Sequence, residues 1–358
     1  MGEMGSGTFG LGTARRGVGL DDASTGGMNG DVKSLLIRMG IVGWVGWFCA
    51  GLVTGMPGEG EAGVGAGEAL LFTSFRGNGE DGLHLLWSTN GHHWAALRGD
   101  RSFLRPEVGG YRLMRDPCIA QGPDGTFHMV WTTAWTTDRG AEIGYACSRD
   151  LVHWSPQRAL PLMAHEPATR NLWAPELFYD RRKGRWLVFW SSTIPGRFPE
   201  TDDTGDDGYN HRIYYATTRD FVRFSPTRLF FDPGFNVIDA TLVEVPGGYM
   251  LVFKDERLRP LQKRLRVAFS TDPEGPFGPV SDPISVDWAE GPSAIRLGSE
   301  YLIYYDRYSR RRYYGALRSV DLRRWEDISG DMRFPPGHKH GTVFRVPEGL
   351  LRTLLSLE

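Results

Sequence analysis

The feature that most constrains the fold is a motif that occurs five times. A Ser or Thr is followed two positions later by a turn residue, and an aromatic residue comes a few positions after that. The copies are "STNGHHW" (88–94), "SRDLVHW" (148–154), "TTRDFVRF" (217–224), "STDPEGPF" (270–277) and "SVDLRRW" (319–325). Hairpins such as "RDPCIAQGPDGTFHMVW" (115–131) lie between the copies. Units of about 50–60 residues with roughly four strands each predict the blades of a β-propeller.

The order of the pieces predicts how the ring closes. The chain starts with the outer part of a unit, "LLFTSF" (70–75) and "GLHLLWS" (82–88), and it ends with a lone inner strand, "HGTVFRV" (340–346). These pieces complete one blade, and their pairing removes an exposed sheet edge. We therefore predict an all-β fold, a single five-bladed β-propeller over residues 66–358 that is closed by pairing of the N- and C-terminal strands.

The first 65 residues differ from this domain. Residues 1–27 are rich in Gly, Ser and Thr, which predicts a disordered or spurious N-terminal extension. From Met28, two basic residues precede an apolar stretch at 39–56 and a run of small residues. This layout predicts that 28–65 is a signal peptide plus linker, and the protein secreted or periplasmic. An uncleaved membrane anchor at 39–56 is the alternative.

Composition excludes several classes of partner and site. The formal net charge of −2 gives no field that would favour nucleic acid. The three cysteines form no CxxC pair, so neither a disulfide framework nor a zinc site is expected. Aromatic residues make up 12% of the chain, which is consistent with core packing and with a cleft for sugar rings.

The heads of the inner strands carry the candidate site residues. They are Asp116, Trp173, Asp239, Glu290 and His340. Because inner strands line the central channel of a propeller, these side chains should face one funnel. Like charges in one funnel cost energy, which indicates metal binding or acid/base chemistry. Glycosidic hydrolysis needs one protonated and one ionised carboxyl, and a third carboxylate can raise the pKa of the acid.

Five motifs together resemble glycoside hydrolase family 43. They are "RDP" (115–117), "WAPE" (173–176), "IDAT" (238–241), "AEGPS" (289–293) and "HGT" (340–342), in order and one per blade. Members of that family are five-bladed propeller enzymes that act on α-L-arabinofuranosides and β-D-xylosides, and the resemblance covers about 68–358. It implies an inverting mechanism in which Asp116 is the general base, Glu290 the general acid and Asp239 the residue that modulates the pKa of the acid.

The resemblance also implies weaker assignments. It places Trp173 near the substrate and His340 on the propeller axis, where the histidine of several members helps to hold calcium through water. We expect no required cofactor, and zinc at "GHKH" (337–340) is disfavoured because two histidines make an incomplete site. Arg307 is predicted to bind sugar hydroxyls, with a salt bridge as the alternative. The loop 192–211 is expected either to wall the cleft or to be disordered.

The predicted function is therefore that of an exported, monomeric glycosidase. It would remove terminal α-L-arabinofuranosyl or β-D-xylosyl residues from polysaccharides or oligosaccharides. A related propeller glycosidase for galactosides or fructosides is one alternative. A non-catalytic carbohydrate-binding propeller is the other, and the presence of all three acids argues against it.

Overall fold

The structure is a computed structural model that describes residues 64–309 and 312–357. The predictions for 1–27 and for the signal or anchor segment concern residues outside this part, except for 64–65. No helix in the described residues is long and apolar enough to cross a membrane. The described strands are β1 (Glu68–Ser74), β2 (His84–Ser88), β3 (Ala95–Ala96), β4 (Arg115–Gln121), β5 (Phe127–Thr132), β6 (Ile143–Ser148), β7 (Arg158–Leu160), β8 (Trp173–Asp180), β9 (Arg185–Thr193), β10 (His211–Thr218), β11 (Arg228–Phe231), β12 (Val237–Val245), β13 (Gly248–Asp255), β14 (Arg264–Ser270), β15 (Ala289–Leu297), β16 (Glu300–Arg307), β17 (Tyr313–Ser319), β18 (Glu326–Asp327) and β19 (Val343–Pro347).

The described strands form five separate antiparallel sheets, which are the blades of a propeller. Blade I is β4 to β7, blade II β8 to β11, blade III β12 to β14, and blade IV β15 to β18. Blade V has the order β19-β1-β2-β3 and so combines both ends of the domain. In its register Leu70 lies opposite Arg345 and Phe72 opposite Val343. The predicted all-β, five-bladed fold and its closure are confirmed.

The repeated motif forms the turn between the third and fourth strands of a blade. In the copy of blade V, the Ser88 hydroxyl accepts the N–H of Gly91 at 2.9 Å. The Asn90 side chain accepts the N–H groups of His92 and His93, each at 2.9 Å. Short polar side chains that bind backbone amides in this way replace ladder hydrogen bonds at a turn. The Trp94 ring then packs edge-on against Phe72 in the core between blades V and IV.

A β-bulge at the head of four inner strands sets the positions of the site residues. The ladder register shifts there, and the bulged residue has a positive φ in each case. These residues are Asp116 (49°), Ala174 (46°), Asp239 (51°) and Gly291 (58°). Positive φ is strained for residues other than glycine, and such strain concentrates at functional sites. Asp116 and Asp239 are thus equivalent, whereas Trp173 and Glu290 precede the bulge by one residue.

Hydrogen bonds at the bulges join successive blades. The Ala174 N–H donates to the Thr132 hydroxyl of blade I at 2.8 Å. The Asp239 N–H donates to the Ser191 hydroxyl of blade II at 3.2 Å. The Gly291 N–H donates to the Asp239 carboxylate at 3.1 Å. These bonds hold the heads of the inner strands at one level around the axis.

Two features of the fold were not predicted. Among the described residues, blade III has three strands, and the segment 281–284 takes the fourth place through two backbone hydrogen bonds to β14. Prolines around that segment, such as Pro279 and Pro283, lack the N–H that a longer ladder needs. A helix, α1 (Glu348–Leu355), follows β19 and buries Leu351 and Leu354.

Candidate active site

A cleft of about 1250 Å³ opens over the heads of the inner strands. Residues from all five blades line it. The six predicted site residues are all among them: Asp116, Trp173, Asp239, Glu290, Arg307 and His340. The structure therefore brings the predicted residues together, although they are far apart in sequence.

Asp116 forms an ion pair with His340 on the axis. The His340 Nδ1 lies 3.4 Å from one carboxylate oxygen, and the Thr132 hydroxyl donates to the other at 2.9 Å. Burial acts to raise the pKa of Asp116, but His340, Arg115 and Thr132 together lower it below its ordinary value. Burial acts in turn to lower the pKa of His340, and Asp116 raises it to about 9. Asp116 is therefore an ionised carboxylate at neutral pH, as a general base must be.

Asp239 is fixed against the strand that carries Glu290. Its carboxylate accepts the N–H of Gly291 at 3.1 Å. A Cβ on Gly291 would lie 2.4 Å from the His340 ring, so only glycine allows the strand to approach the axis this closely. Burial raises the pKa of Asp239 to about 6, and the charges of Glu290 and Asp116 act in the same direction. Contacts thus run without a break from Asp116 through His340 and Gly291 to Asp239.

Glu290 is bound to a buried lysine. The Lys254 ammonium lies 3.0 Å from Glu290 and 2.7 Å from Glu256, and its side chain is 2% exposed. Burial acts to lower the pKa of Lys254, but the carboxylates of Glu256 and Glu290 hold it well above its ordinary value. Glu256 also contacts the buried Lys263. A permanent positive charge therefore faces Glu290 from blade III.

Lys254 belongs to a repeated position that the sequence reasoning did not recognise. In blades I to IV, the last part of the second strand places one polar residue opposite the residue before the bulge. These residues are Thr132, Ser191, Lys254 and Asp306. The hydroxyls of blades I and II bind bulge amides, whereas blades III and IV place charges in the cleft. A polar residue that ends an apolar second strand is the signal that could have identified them.

Asp306 and Glu176 are buried carboxyls that the prediction did not include among the site residues. Burial raises the pKa of Asp306 to about 7, and the charge of Glu290, opposite it in the ladder, acts in the same direction. Burial also raises the pKa of Glu176 to about 7. Glu176 accepts the hydroxyls of Thr241 at 3.2 Å and Thr342 at 3.0 Å, so it links blade II to blades III and V.

One wall of the cleft is aromatic. The Trp173 indole N–H donates to the carbonyl of Trp135 at 3.0 Å, and the two rings lie 5.6 Å apart edge to face. Tyr209 and His211 flank Trp173 at 4.8 and 5.1 Å between ring centroids. Burial lowers the pKa of His211 well below its ordinary value, so this imidazole is neutral. Aromatic faces in such a wall suit the apolar faces of sugar rings.

The remaining predicted residues have defined places. Arg307 lines the cleft and donates to Asp287 at 3.2 Å, so both the cleft position and the salt bridge are observed. The loop 192–211 contains a short 3-10 turn, Pro199–Thr204. Its residues Asp206, Asp207 and Tyr209 line the cleft, so the loop walls one side of it.

The residues around His340 do not fit a calcium site. The Glu176 oxygens already accept two hydroxyls, and the His340 Nδ1 already contacts the Asp116 carboxylate. Calcium requires six to eight oxygen ligands. In residues 64–309 and 312–357, no group of three or more His, Cys, Asp or Glu could hold a metal ion. We therefore derive no step that uses one.

Comparison with known proteins identifies the family. The family described as "Probable glycosyl hydrolase domain" matches residues 66–349. An α-L-arabinofuranosidase of Bifidobacterium longum subsp. longum is 30% identical over 118 residues, which are 31% of this chain. The match spans only 11% of the length of that relative.

Solved structures give weaker similarities. The α-L-arabinofuranosidase from Lactobacillus brevis has a TM-score of 0.46 at 18% identity, over 60% of this chain and 72% of the other. A thermostable family-43 glycoside hydrolase has a TM-score of 0.47 at 17% identity, over 63% and 75%. The assignment rests on the sequence match over 66–349. The chain belongs to this family of glycosyl hydrolase domains, which is related to glycoside hydrolase family 43.

Proposed function

We propose that this protein is an inverting glycoside hydrolase that removes terminal α-L-arabinofuranosyl or β-D-xylosyl residues from a carbohydrate chain. The observation that carries the proposal is the meeting of Asp116, Asp239 and Glu290 in one cleft with an aromatic wall. A carbohydrate-binding module has no need of an ionised carboxylate held beside two further acids. An enzyme that hydrolyses glycosides needs that arrangement.

Asp116 is suited to activate water. It is ionised because His340 and Thr132 bind its two oxygens. In the proposed step it takes a proton from a water molecule, which attacks the anomeric carbon from the face opposite the leaving group. Asp116 then releases this proton to solvent before the next turnover.

Glu290 is suited to protonate the leaving oxygen. When it gives up its proton it becomes a carboxylate, and Lys254 at 3.0 Å stabilises that charge as it develops. Asp239 binds the backbone of Gly291, the next residue, and so fixes the strand position of the acid. Trp173 forms part of the platform for the sugar ring.

The choice of sugar is the finer part of the proposal. The relatives from B. longum and L. brevis are described as α-L-arabinofuranosidases, which supports arabinofuranosides as the first substrates to try. β-D-xylosides follow from the resemblance of the motifs. Galactosides and fructosides remain outcomes of the same test.

The test is hydrolysis of p-nitrophenyl α-L-arabinofuranoside and β-D-xyloside by the purified chain, with the product anomer followed by proton NMR. We expect release of the sugar with inverted configuration and a loss of roughly three orders of magnitude or more in Asp116→Asn. The loss in Glu290→Gln should be smaller, because p-nitrophenolate needs little help from an acid to leave. The matched control is Asp282→Asn, the same chemical change on an exposed side chain. Retained configuration would contradict the mechanism, and equal background from all variants on every glycoside would contradict the function.

A further inference from the structure

The cleft contains a pair of cations that take no direct part in the proposed proton transfers. Arg115 lies at the head of blade I and Lys339 precedes the inner strand of blade V. Both line the cleft, and both charges lie over the ring of Phe75, at 4.7 Å for Arg115 and 5.6 Å for Lys339. Two like charges that share one ring repel each other, so the arrangement calls for an explanation.

Neither cation pairs with a carboxylate in the part of the chain that the structure describes. Arg115 donates to the side-chain carbonyl of Asn78 at 2.9 Å, and Lys339 donates to the backbone carbonyl of Gly77 at 2.5 Å. Within the described residues, Arg333, which also lines the cleft, likewise binds only backbone carbonyls, those of Gly330 and Met332. Three other cleft cations contrast with them. Lys254 and Lys263 each bind two carboxylates, and Arg307 binds Asp287.

The guanidinium of Arg115 is also held in a fixed position. It lies between the ring of Phe75 and that of Trp135, whose centroid is 3.9 Å from its central carbon. Asn78 accepts the Trp135 indole N–H at 2.9 Å as well as the Arg115 bond, so one amide fixes both side chains. A preorganised guanidinium loses little entropy when it binds a planar anion.

The electrostatics of Lys339 reflect its neighbours in the cleft. Burial lowers the pKa of Lys339, and the charge of Arg115 is the next largest cause. The charges of Asp306 and Glu290 act on Lys339 in the opposite direction. Arg115 also acts on Asp116, so the pair borders the catalytic carboxyls on the wall of the cleft formed by blades I and V.

We propose that Arg115 and Lys339 form a subsite for an anionic group on the sugar chain next to the cleaved bond. The inference rests on the proposed function, because it places the anion in the chain from which the terminal sugar is removed. A uronate carboxylate and a sulfate ester share the required chemistry, since each presents two oxygens to a guanidinium fork. Trp135, 45% exposed, would lie against the ring that carries the anion.

The test measures binding separately from hydrolysis. The full chain with Glu290→Gln is titrated calorimetrically with three probes: a xylo-oligosaccharide that carries a glucuronosyl residue, its carboxyl-reduced counterpart, and one that carries a sulfate ester. We expect an anionic probe to bind about tenfold or more tightly than the reduced one, with a preference that falls as salt is added. The anionic probe that binds more tightly than the reduced one shows whether the subsite takes a carboxylate or a sulfate.

Three substitutions locate the subsite. Lys339→Gln and Arg115→Gln should each remove most of the preference while binding of the neutral probe changes little. Arg149→Gln, the same change at an exposed arginine in the turn that follows β6, should keep it. Thermal melts confirm that the variants fold, and Lys339→Gln is the cleaner of the two because Arg115 also acts on Asp116.

The outcomes separate this inference from the proposed function. If wild type hydrolyses neutral glycosides but neither anionic probe binds more tightly than the reduced one, the inference is wrong and the function stands. A preference that disappears in Lys339→Gln without any hydrolysis supports the inference and contradicts the function. A preference that survives both substitutions, or no binding of any probe, overturns the subsite.

Discussion

Asp306 offers a test in which removal of a charge should stabilise the protein. It lies opposite Glu290 in the ladder between β15 and β16 and is 9% exposed. Its pKa rises from 3.8 to about 7 because it is buried and, next, because of the neighbouring carboxyl of Glu290. The folded-state pKa is above the unfolded value. Ionisation of Asp306 therefore lowers the free energy of unfolding as pH rises from about 4 to about 7. Asn has the shape of the neutral carboxyl and does not ionise.

The magnitude follows from linkage. Each unit of pKa difference corresponds to about 1.4 kcal/mol, so the full cost of ionising Asp306 is of order 4 kcal/mol above about pH 7. Part of that cost is already present at pH 5. The free energy of unfolding of Asp306→Asn, relative to that of wild type, should therefore increase by about 2–3 kcal/mol between pH 5 and pH 8.

The assay is urea unfolding of both proteins at about pH 5 and about pH 8, followed by tryptophan fluorescence. The chain has 12 Trp, so the signal is strong. Asp282→Asn serves as the control, because the same change at an exposed site should shift stability little and equally at both pH values. A difference between Asp306→Asn and wild type that stays constant or shrinks between the two pH values would refute the reasoning.

Three further perturbations test the contacts around the acids. Lys254→Met leaves Glu256 and Glu290 without the cation between them. Calorimetry should show a lower melting temperature and a loss of about 3 kcal/mol in the free energy of unfolding. Gly291→Ala places a Cβ 2.4 Å from the His340 ring at a φ of 58°, so thermal melts should show a loss of about 2–3 kcal/mol and assays a lower kcat. His340→Gln removes the charge that keeps Asp116 ionised, so the acid limb of kcat/KM should move to higher pH. The exposed His153→Gln should leave that limb unchanged.

The repeat made the ring and most of the predicted site readable from sequence. Asp116 and Asp239 occupy the same position of their blades, and a repeat reports such equivalence directly. The closure of blade V was also readable, because a lone inner strand at one end and three outer strands at the other fit only one sheet.

The rest depends on contacts between blades, which a single sequence does not contain. The repeated position of Lys254 and Asp306 was not recognised, because their partners come from other strands or blades. Glu176 binds hydroxyls from two other blades, and nothing near it in the chain indicates this. The bulge that sets Glu290 one residue apart from the position of Asp116 and Asp239 was not readable from the sequence. Helix α1 has only eight residues, too few for a helical period to be distinguished from a strand.

The measurement that tests the central claim most directly compares leaving groups in the two catalytic variants. A good leaving group such as 2,4-dinitrophenolate departs without a proton, whereas a sugar alcohol needs one. Glu290→Gln should therefore lose much less kcat/KM on the dinitrophenyl glycoside than on the corresponding disaccharide, while Asp116→Asn loses activity equally on both. Equal losses on both substrates in Glu290→Gln would contradict the assignment of Glu290 as the acid, and full activity in Asp116→Asn would contradict the account of the site.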